Sequence, residues 1–150
     1  SGSRLLRIKK YLKNDENFFM TYGDGLSNIN INKLMNFHTN NKKIATLSAV
    51  RHIPRFGKLT IKKNLVVKFK EKDILSEGWI NGGFFVLNKK IFKYIDDKDN
   101  CIFEREPLVN LADDKQLMAF KHNNFWHPMD TLRDKNYLNT LIIKRNAPWL

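Results

Sequence analysis

The sequence predicts an α/β domain with a mixed, mostly parallel sheet flanked by helices. Short apolar runs end in Gly or Asn, other segments place apolar residues at helical spacing, and the two kinds of segment alternate. This alternation favours a sheet covered by helices. With 150 residues and 42% hydrophobic residues, the chain can bury a core, and we expect residues 1–150 to form one domain.

The first half of the chain predicts two buried strands, a helix and a hairpin. NFFMTY at 17–22 reads as a strand that runs into a Gly-Asp-Gly turn, and KIATLSAV at 43–50 reads as a second strand. Asn30 is placed to cap the helix between them. One face of that helix carries Ile31, Leu34, Met35 and His38. KLTI and LVVKFK then flank KKN, which predicts a hairpin turn.

The second half predicts two further strands and three helices. GWINGGFFVLN is a strand with internal glycines, and QLMAFKH is a strand later in the chain. A short helix, KKIFKYI, follows Asn88, and REPLVNLADD is a helix that tolerates Pro107 in its first turn. The last helix follows Asp130 and Thr131.

Charge and composition exclude several classes of protein. The net charge of +12 would suit nucleic acid, but lysines are scattered and arginine is scarce, so we expect no nucleic-acid partner and keep anionic substrates open. No apolar run approaches the ~20 residues of a membrane span. The N-terminus lacks a secretory apolar region, and the single cysteine, Cys101, suits a reducing compartment. We therefore expect a cytoplasmic protein without a membrane partner.

Two aspartates stand where ligands bind in such sheets. Asp24 lies between two glycines after a predicted strand, and Asp130 precedes the last helix. Each has a structural alternative: Asp24 could form a tight turn, and Asp130 could cap the helix. Together they could also hold Mg²⁺ through carboxylate oxygens. Histidine spacing and the lone cysteine do not suit a zinc site.

Other polar residues are weaker candidates. Two glycines in the strand around Asn81 indicate close approach by a ligand or by another backbone, and an Asn side chain suits sugar hydroxyls. Glu71 and Lys72 follow a predicted strand but could be ordinary surface. Glu104 and Arg105 precede a helix, where an acidic residue also suits the helix dipole.

Seven motifs in order resemble one family. They are YGDG, RFGKL, FKEK, GWINGGFFVL, FEREPL, LMAFKHNNFWHPMDTLRDKNYL and APW. From about Arg4 onward the chain resembles the later part of glucose-1-phosphate cytidylyltransferases, which belong to the sugar nucleotidyltransferase superfamily. YGDG and the Glu-Lys pair are general to the superfamily, whereas GWINGGFFV and PMDTLRDKNYL are more specific to the cytidylyl branch.

The resemblance implies a Rossmann-like, GT-A-like fold and a reaction. CMP passes from CTP to α-D-glucose 1-phosphate, giving CDP-glucose and pyrophosphate for the deoxysugars of bacterial O-antigen and lipopolysaccharide. It implies an enzyme that often forms oligomers and uses Mg²⁺. Asp24 and Asp130 match the metal-binding aspartates of the family. The implied sugar-phosphate residues are Glu71, Lys72, Asn81 and Gly82, with Gly57, Glu104 and Arg105 as weaker matches.

One departure from the family pattern sets further expectations. The sequence has no Gly-rich loop of the Ala-Gly-Gly-x-Gly-Thr-Arg type, which cradles the triphosphate in the family. We therefore expect the central and C-terminal part of a nucleotidyltransferase domain, with an incomplete sheet and no activity of its own. Two alternatives remain open: a uridylyl or thymidylyl transferase, and a non-catalytic basic binding module.

Overall fold

The computed structural model describes residues 2–51, 58–70, 78–96 and 101–150. In chain order the helices and strands are α1 (Gly2–Ile8), β1 (Asn17–Thr21), β2 (Gly25–Ser27), α2 (Ile31–Asn41), β3 (Ala45–Val50), β4 (Lys58–Lys62), β5 (Leu65–Lys70), β6 (Ile80–Asn88), α3 (Glu106–Asp113), β7 (Leu117–Lys121), β8 (Trp126–Pro128) and α4 (Leu132–Ile143). Short 3₁₀ helices occupy Lys9–Tyr11 and Lys89–Lys93. The predicted elements are all present among these.

A four-stranded sheet with the order β1-β6-β3-β7 forms the centre of the fold. Strands β3 and β7 are parallel, whereas β6 is antiparallel to both of its neighbours, β1 and β3. The mixed sheet is confirmed, but the expectation of a mostly parallel one is wrong for the described strands. A parallel return requires a crossover, usually through a helix. The described residues between β3 and β6 form the β4–β5 hairpin, and β6 returns antiparallel to β3.

Apolar side chains cover both faces of this sheet. Because successive strand residues point to opposite faces, Phe85 and Leu87 of β6 pack on the α3 side while Val86 packs on the α2 side. The α3 side adds Phe103 and Leu111, both fully buried. Burying such side chains stabilises the fold by roughly 1.5–3 kcal/mol each. The two packed faces leave the ends of the strands as the places where polar side chains collect.

Helix α2 begins as the sequence predicts. The side chain of Asn30 accepts a hydrogen bond from the backbone N–H of Lys33 at 2.9 Å, which satisfies one of the free donors of the first turn. On the predicted face, Leu34 and His38 are buried, whereas Ile31 is 52% exposed and lies outside the contact. Only the later turns of α2 therefore pack on the sheet.

His38 is a buried histidine whose hydrogen bonds determine its tautomer. Its Nε2 lies 3.2 Å from Asn17 Oδ1, which can only accept, so Nε2 carries the proton. Its Nδ1 lies 2.9 Å from Thr46 Oγ1 and accepts from that hydroxyl. Burial lowers the pKa of His38 because the charged imidazolium loses water. The ring is therefore held neutral in the folded protein.

The free energy of unfolding is expected to fall as the pH is lowered from 7 to 5. The folded pKa of His38 lies below its unfolded value of about 6.5, so the unfolded chain takes up a proton that the folded chain resists. The contribution is present above pH ~6.5 and is lost as the pH falls towards the folded pKa. The free energy of unfolding, measured with urea at pH 7 and at pH 5, should differ less between the two pH values for His38→Gln than for the parent. Equal differences would contradict this account.

The hairpin and the last helix differ in how well they match prediction. Strands β4 and β5 pair antiparallel around the expected turn, where Lys63 adopts a left-handed φ of 53°. Helix α4 also forms as expected, but Thr131 is its N-cap. In the described part of the chain, no helix combines the length and apolar character that a membrane span requires.

Candidate functional site

A small second sheet brings the two candidate aspartates together. Strand β2 pairs with β8, and Gly25 lies opposite Pro128. Directly beyond this pairing, the backbone N–H of Met129 donates to the carbonyl of Asp24 at 2.7 Å. Asp24 and Asp130 are therefore neighbours across two loops that the sequence separates by more than a hundred residues, and both side chains are exposed.

The capping role proposed as an alternative for Asp130 belongs to its neighbour. Thr131 Oγ1 accepts from the backbone N–H of Asp134 at 3.2 Å, and Asp134 Oδ2 accepts from the backbone N–H of Thr131 at 2.9 Å. This reciprocal pair is a capping box. Asp130 is thus not the N-cap of α4, and it lies in the loop just before the helix.

The donor set suits a cation that the substrate helps to bind. Among the residues that the structure describes, no group of three or more His, Cys, Asp or Glu side chains could enclose a metal ion. Mg²⁺ is commonly held by one or two carboxylates while phosphate oxygens and water complete its octahedron. Asp24 and Asp130 could provide such an open pair, because both are exposed on adjacent loops.

Tyr22 links two of the sugar-site candidates. Its hydroxyl donates to Glu104 Oε1 at 2.6 Å and accepts from Asn81 Nδ2 at 3.2 Å. Burial raises the pKa of Tyr22 well above its usual range, and the hydrogen bond to Glu104 raises it further. The hydroxyl therefore stays protonated and orients both partners. Sequence reasoning did not select Tyr22, although its position directly before Gly-Asp-Gly was a usable signal.

The two glycines of β6 are explained by neighbouring backbone and side chains. A Cβ on Gly82 would lie 2.6 Å from Ser48 Oγ, and Gly83 has a φ of +78°. The register of β3 against β6 shifts at this point, between Leu47 and Ala49. Ser48 Oγ accepts from the backbone N–H of Phe84 at 3.2 Å and satisfies a donor at the irregularity. Of the two alternatives, close approach by another part of the chain accounts for the glycines.

The irregular strand also positions Asn81. Asn81 Oδ1 accepts from the backbone N–H of Gly83 at 2.9 Å, which fixes the side-chain amide. The carbonyl of Gly82 accepts from the indole Nε1 of Trp126 at 2.8 Å, so β6 is tied to β8. This bond connects the strand that carries Asn81 with the small sheet that carries the aspartates. The two parts of the candidate site are thus held in one framework.

Of the remaining candidates, only Arg105 lies among the described residues. Arg105 is exposed at the start of α3, and the structure gives its side chain no role in the Tyr22 network. Gly57, Glu71 and Lys72 lie outside the described residues, so their roles stay predictions from the sequence. The structure therefore joins Asp24 to Asp130, and Asn81 to Glu104, through contacts that the sequence did not reveal.

Comparison with known proteins gives relatives with a named activity. No protein-family model matches the chain. Glucose-1-phosphate cytidylyltransferase of Salmonella typhimurium is 48% identical over 149 residues, which is 99% of this chain and 58% of that protein. D-glycero-alpha-D-manno-heptose 1-phosphate guanylyltransferase of Aneurinibacillus thermoaerophilus is 32% identical over 117 residues, covering 75% of this chain and 51% of that protein.

Solved structures support the fold. HddC from Yersinia pseudotuberculosis superposes with a TM-score of 0.63 at 22% identity, over 91% of this chain and 60% of that chain. At this identity the likeness concerns the fold alone. The sequence and fold comparisons agree in extent. The chain spans 58% of the length of the Salmonella relative and 60% of the HddC chain. Over nearly its whole length, the chain is a homologue of part of the glucose-1-phosphate cytidylyltransferases.

Proposed function

We propose that the chain forms the central and C-terminal part of a glucose-1-phosphate cytidylyltransferase. The complete enzyme would transfer CMP from CTP to α-D-glucose 1-phosphate and release CDP-glucose and pyrophosphate. The observation that carries this proposal is the pairing of β2 with β8, which places Asp24 beside Asp130 in a chain 48% identical to the Salmonella enzyme. Because the chain spans 58% of that relative, the activity is proposed for the assembled protein.

The reaction needs no nucleophile from the protein. An oxygen of the sugar phosphate attacks the α-phosphorus of CTP and forms a new P–O bond. The bond from that phosphorus to the bridging oxygen of the β-phosphate breaks, and pyrophosphate leaves with the electron pair. Two polyanions must approach each other, so positioning and charge compensation supply the catalysis.

Asp24 and Asp130 are the residues that would hold Mg²⁺, which when bound screens the phosphate charges. Their exposure leaves room for the phosphate oxygens that would complete the ligand set. The Tyr22 hydroxyl, fixed between Glu104 and Asn81, would orient these side chains towards the sugar hydroxyls. Glu71 and Lys72 are proposed at the sugar and its phosphate from the sequence resemblance.

Tyr22→Phe is expected to raise the KM for glucose 1-phosphate about 10-fold while leaving the KM for CTP near its parent value. The substitution removes one hydroxyl, so Glu104 and Asn81 each lose one hydrogen bond that orients them, and a hydrogen bond to a charged group is worth roughly 1.5–3 kcal/mol. Steady-state kinetics of the assembled enzyme measures both constants. Tyr11→Phe is the matched control, because Tyr11 is 75% exposed. A change confined to the KM for CTP would contradict the assignment.

The activity itself is tested by assembling the enzyme. The chain is fused to the part of the Salmonella relative that it does not match, and CDP-glucose formation is followed with CTP, UTP, dTTP, ATP and GTP. Preference for CTP supports the proposal, whereas preference for UTP or dTTP supports the uridylyl or thymidylyl alternative. An assembled protein that folds but transfers no nucleotide, and whose gel shift with nucleic acid weakens steeply with salt, would favour the nucleic-acid-binding alternative.

We also propose the setting of this enzyme. The free cysteine Cys101 suits a reducing compartment, so a cytoplasmic enzyme is proposed. The product would serve bacterial surface polysaccharides such as O-antigen, and the complete protein would form a homo-oligomer. Fractionation of cells and light scattering of the assembled enzyme test these two statements.

A further inference from the structure

Two cations share one aromatic ring at the same end of the sheet as the candidate site. The Arg51 guanidinium carbon lies 4.7 Å from the centroid of the Trp79 ring, and Lys121 Nζ lies 5.5 Å from it. Arg51 directly follows β3, Lys121 ends β7, and Trp79 directly precedes β6. Such contacts are cation–π interactions, which hold a charged group in place without neutralising it.

Strand register puts this cluster beside Asn81. Ala49 of β3 pairs with Asn81 of β6 on one side and with Lys121 of β7 on the other. These three residues therefore form a row across the sheet. Arg51 lies two residues beyond Ala49, and Trp79 lies two residues before Asn81, so alternation places all of these side chains on one face.

Within the described residues, no carboxylate compensates the charges of the cluster. Neither Arg51 nor Lys121 forms an ion pair with a carboxylate of the described residues. Arg51 Nε is buried, and it has no hydrogen-bond partner within the part of the chain that the structure describes. A buried donor without a hydrogen-bond partner is unfavourable, and the planar donors of a guanidinium match phosphate oxygens. Lys121 is exposed, which leaves the cluster accessible from solvent.

We propose that Arg51 and Lys121, aligned by Trp79, form an anion subsite that takes a phosphate group next to the sugar position at Asn81. Two strand residues span about 7 Å, so Trp79 and Asn81 are separated by roughly the length of a hexose phosphate. The 1-phosphate of the sugar and the pyrophosphate of the nucleotide share the required chemistry. The identification of the sugar position rests on the proposed function, whereas binding of phosphate to the two cations does not.

The test uses the 150-residue chain and direct binding. Glucose 1-phosphate and inorganic pyrophosphate are titrated separately at constant ionic strength, and binding is followed by tryptophan fluorescence and by calorimetry. Arg51→Met and Lys121→Met are each expected to weaken binding at least tenfold. Lys90→Met removes the same charge in the 3₁₀ helix that follows β6, at the opposite end of the sheet, and is expected to bind as the parent does. Trp79→Phe should remove most of the fluorescence change.

The two probes distinguish the source of the phosphate. If the variants lose affinity for glucose 1-phosphate, the sugar phosphate is supported as the natural ligand. If they lose affinity for pyrophosphate alone, the nucleotide is supported. No binding by the parent chain, or equal weakening in Lys90→Met, would overturn the proposal. Thermal melting by circular dichroism accompanies each variant, and a variant that melts early without losing affinity would show that Arg51 serves stability. If Arg51→Met does not fold, Lys121→Met decides, because its side chain is exposed.

The proposed function fails in a different way. An assembled enzyme that makes no CDP-glucose, while the chain still binds phosphate through Arg51 and Lys121, would reject the reaction and keep the subsite. Conversely, an active enzyme whose chain shows no phosphate binding at these residues would keep the reaction and reject the subsite.

Discussion

Replacing either Asp24 or Asp130 by asparagine is expected to lower the turnover of the assembled enzyme at least ~100-fold, the scale lost with a major electrostatic stabiliser. The two loops meet through the hydrogen bond from Met129 N–H to the Asp24 carbonyl, so the side chains act at one place. Asparagine keeps the size and one carbonyl oxygen but removes the negative charge that holds a divalent cation.

The asparagine variants also separate the catalytic account from the structural alternatives. Asparagine serves in tight turns and at helix N-caps about as well as aspartate. A purely structural Asp24 or Asp130 would therefore leave turnover and thermal stability nearly unchanged. The measurement is kcat over a range of Mg²⁺ concentrations, with Asp15→Asn as control because that exposed residue precedes β1 at the other end of the sheet. Near-parent kcat in both variants at saturating Mg²⁺ would remove the pair from the metal site.

The strands with strong local patterns were predictable, whereas their directions were not. NFFMTY and KIATLSAV are apolar runs bounded by turn residues, and both became strands of the central sheet. The antiparallel direction of β6 depends on the whole connection that follows β3, of which the structure describes the β4–β5 hairpin. A local pattern does not encode that choice, so the sheet is less parallel than expected.

The sequence indicates several residues of the candidate site, but not Tyr22 and not how these residues come together. Strands β2 and β8 have three residues each, too few for a periodic signal, yet they bring the aspartates together. The Tyr22–Glu104 hydrogen bond joins residues separated by 82 positions. The N-cap of α4 could have been read correctly, because Thr131 with Asp134 three residues later resembles a capping-box pattern.

Among the described glycines, Gly83 is expected to be the most sensitive to substitution. It adopts a φ of +78°, a region that costs residues with a Cβ roughly 1–2 kcal/mol. A Cβ would also lie 2.6 Å from Cδ2 and 3.2 Å from Cγ of the Tyr22 ring. That ring packs edge-on against Phe85, whose side chain is fully buried, so it has little freedom to move away. Overpacking at such a position typically costs a further 1–3 kcal/mol.

Gly83→Ala is therefore expected to lower the free energy of unfolding by about 3 kcal/mol. Urea unfolding of the parent and the variant measures this difference. Gly23→Ala is the matched control, since a Cβ there meets nothing within 4 Å, and it should stay within about 0.5 kcal/mol of the parent. The same clash pushes the Tyr22 hydroxyl away from Glu104 and Asn81, so in the assembled enzyme Gly83→Ala should also raise the KM for glucose 1-phosphate. Parent-like stability would mean that β6 does not hold Gly83 against the Tyr22 ring.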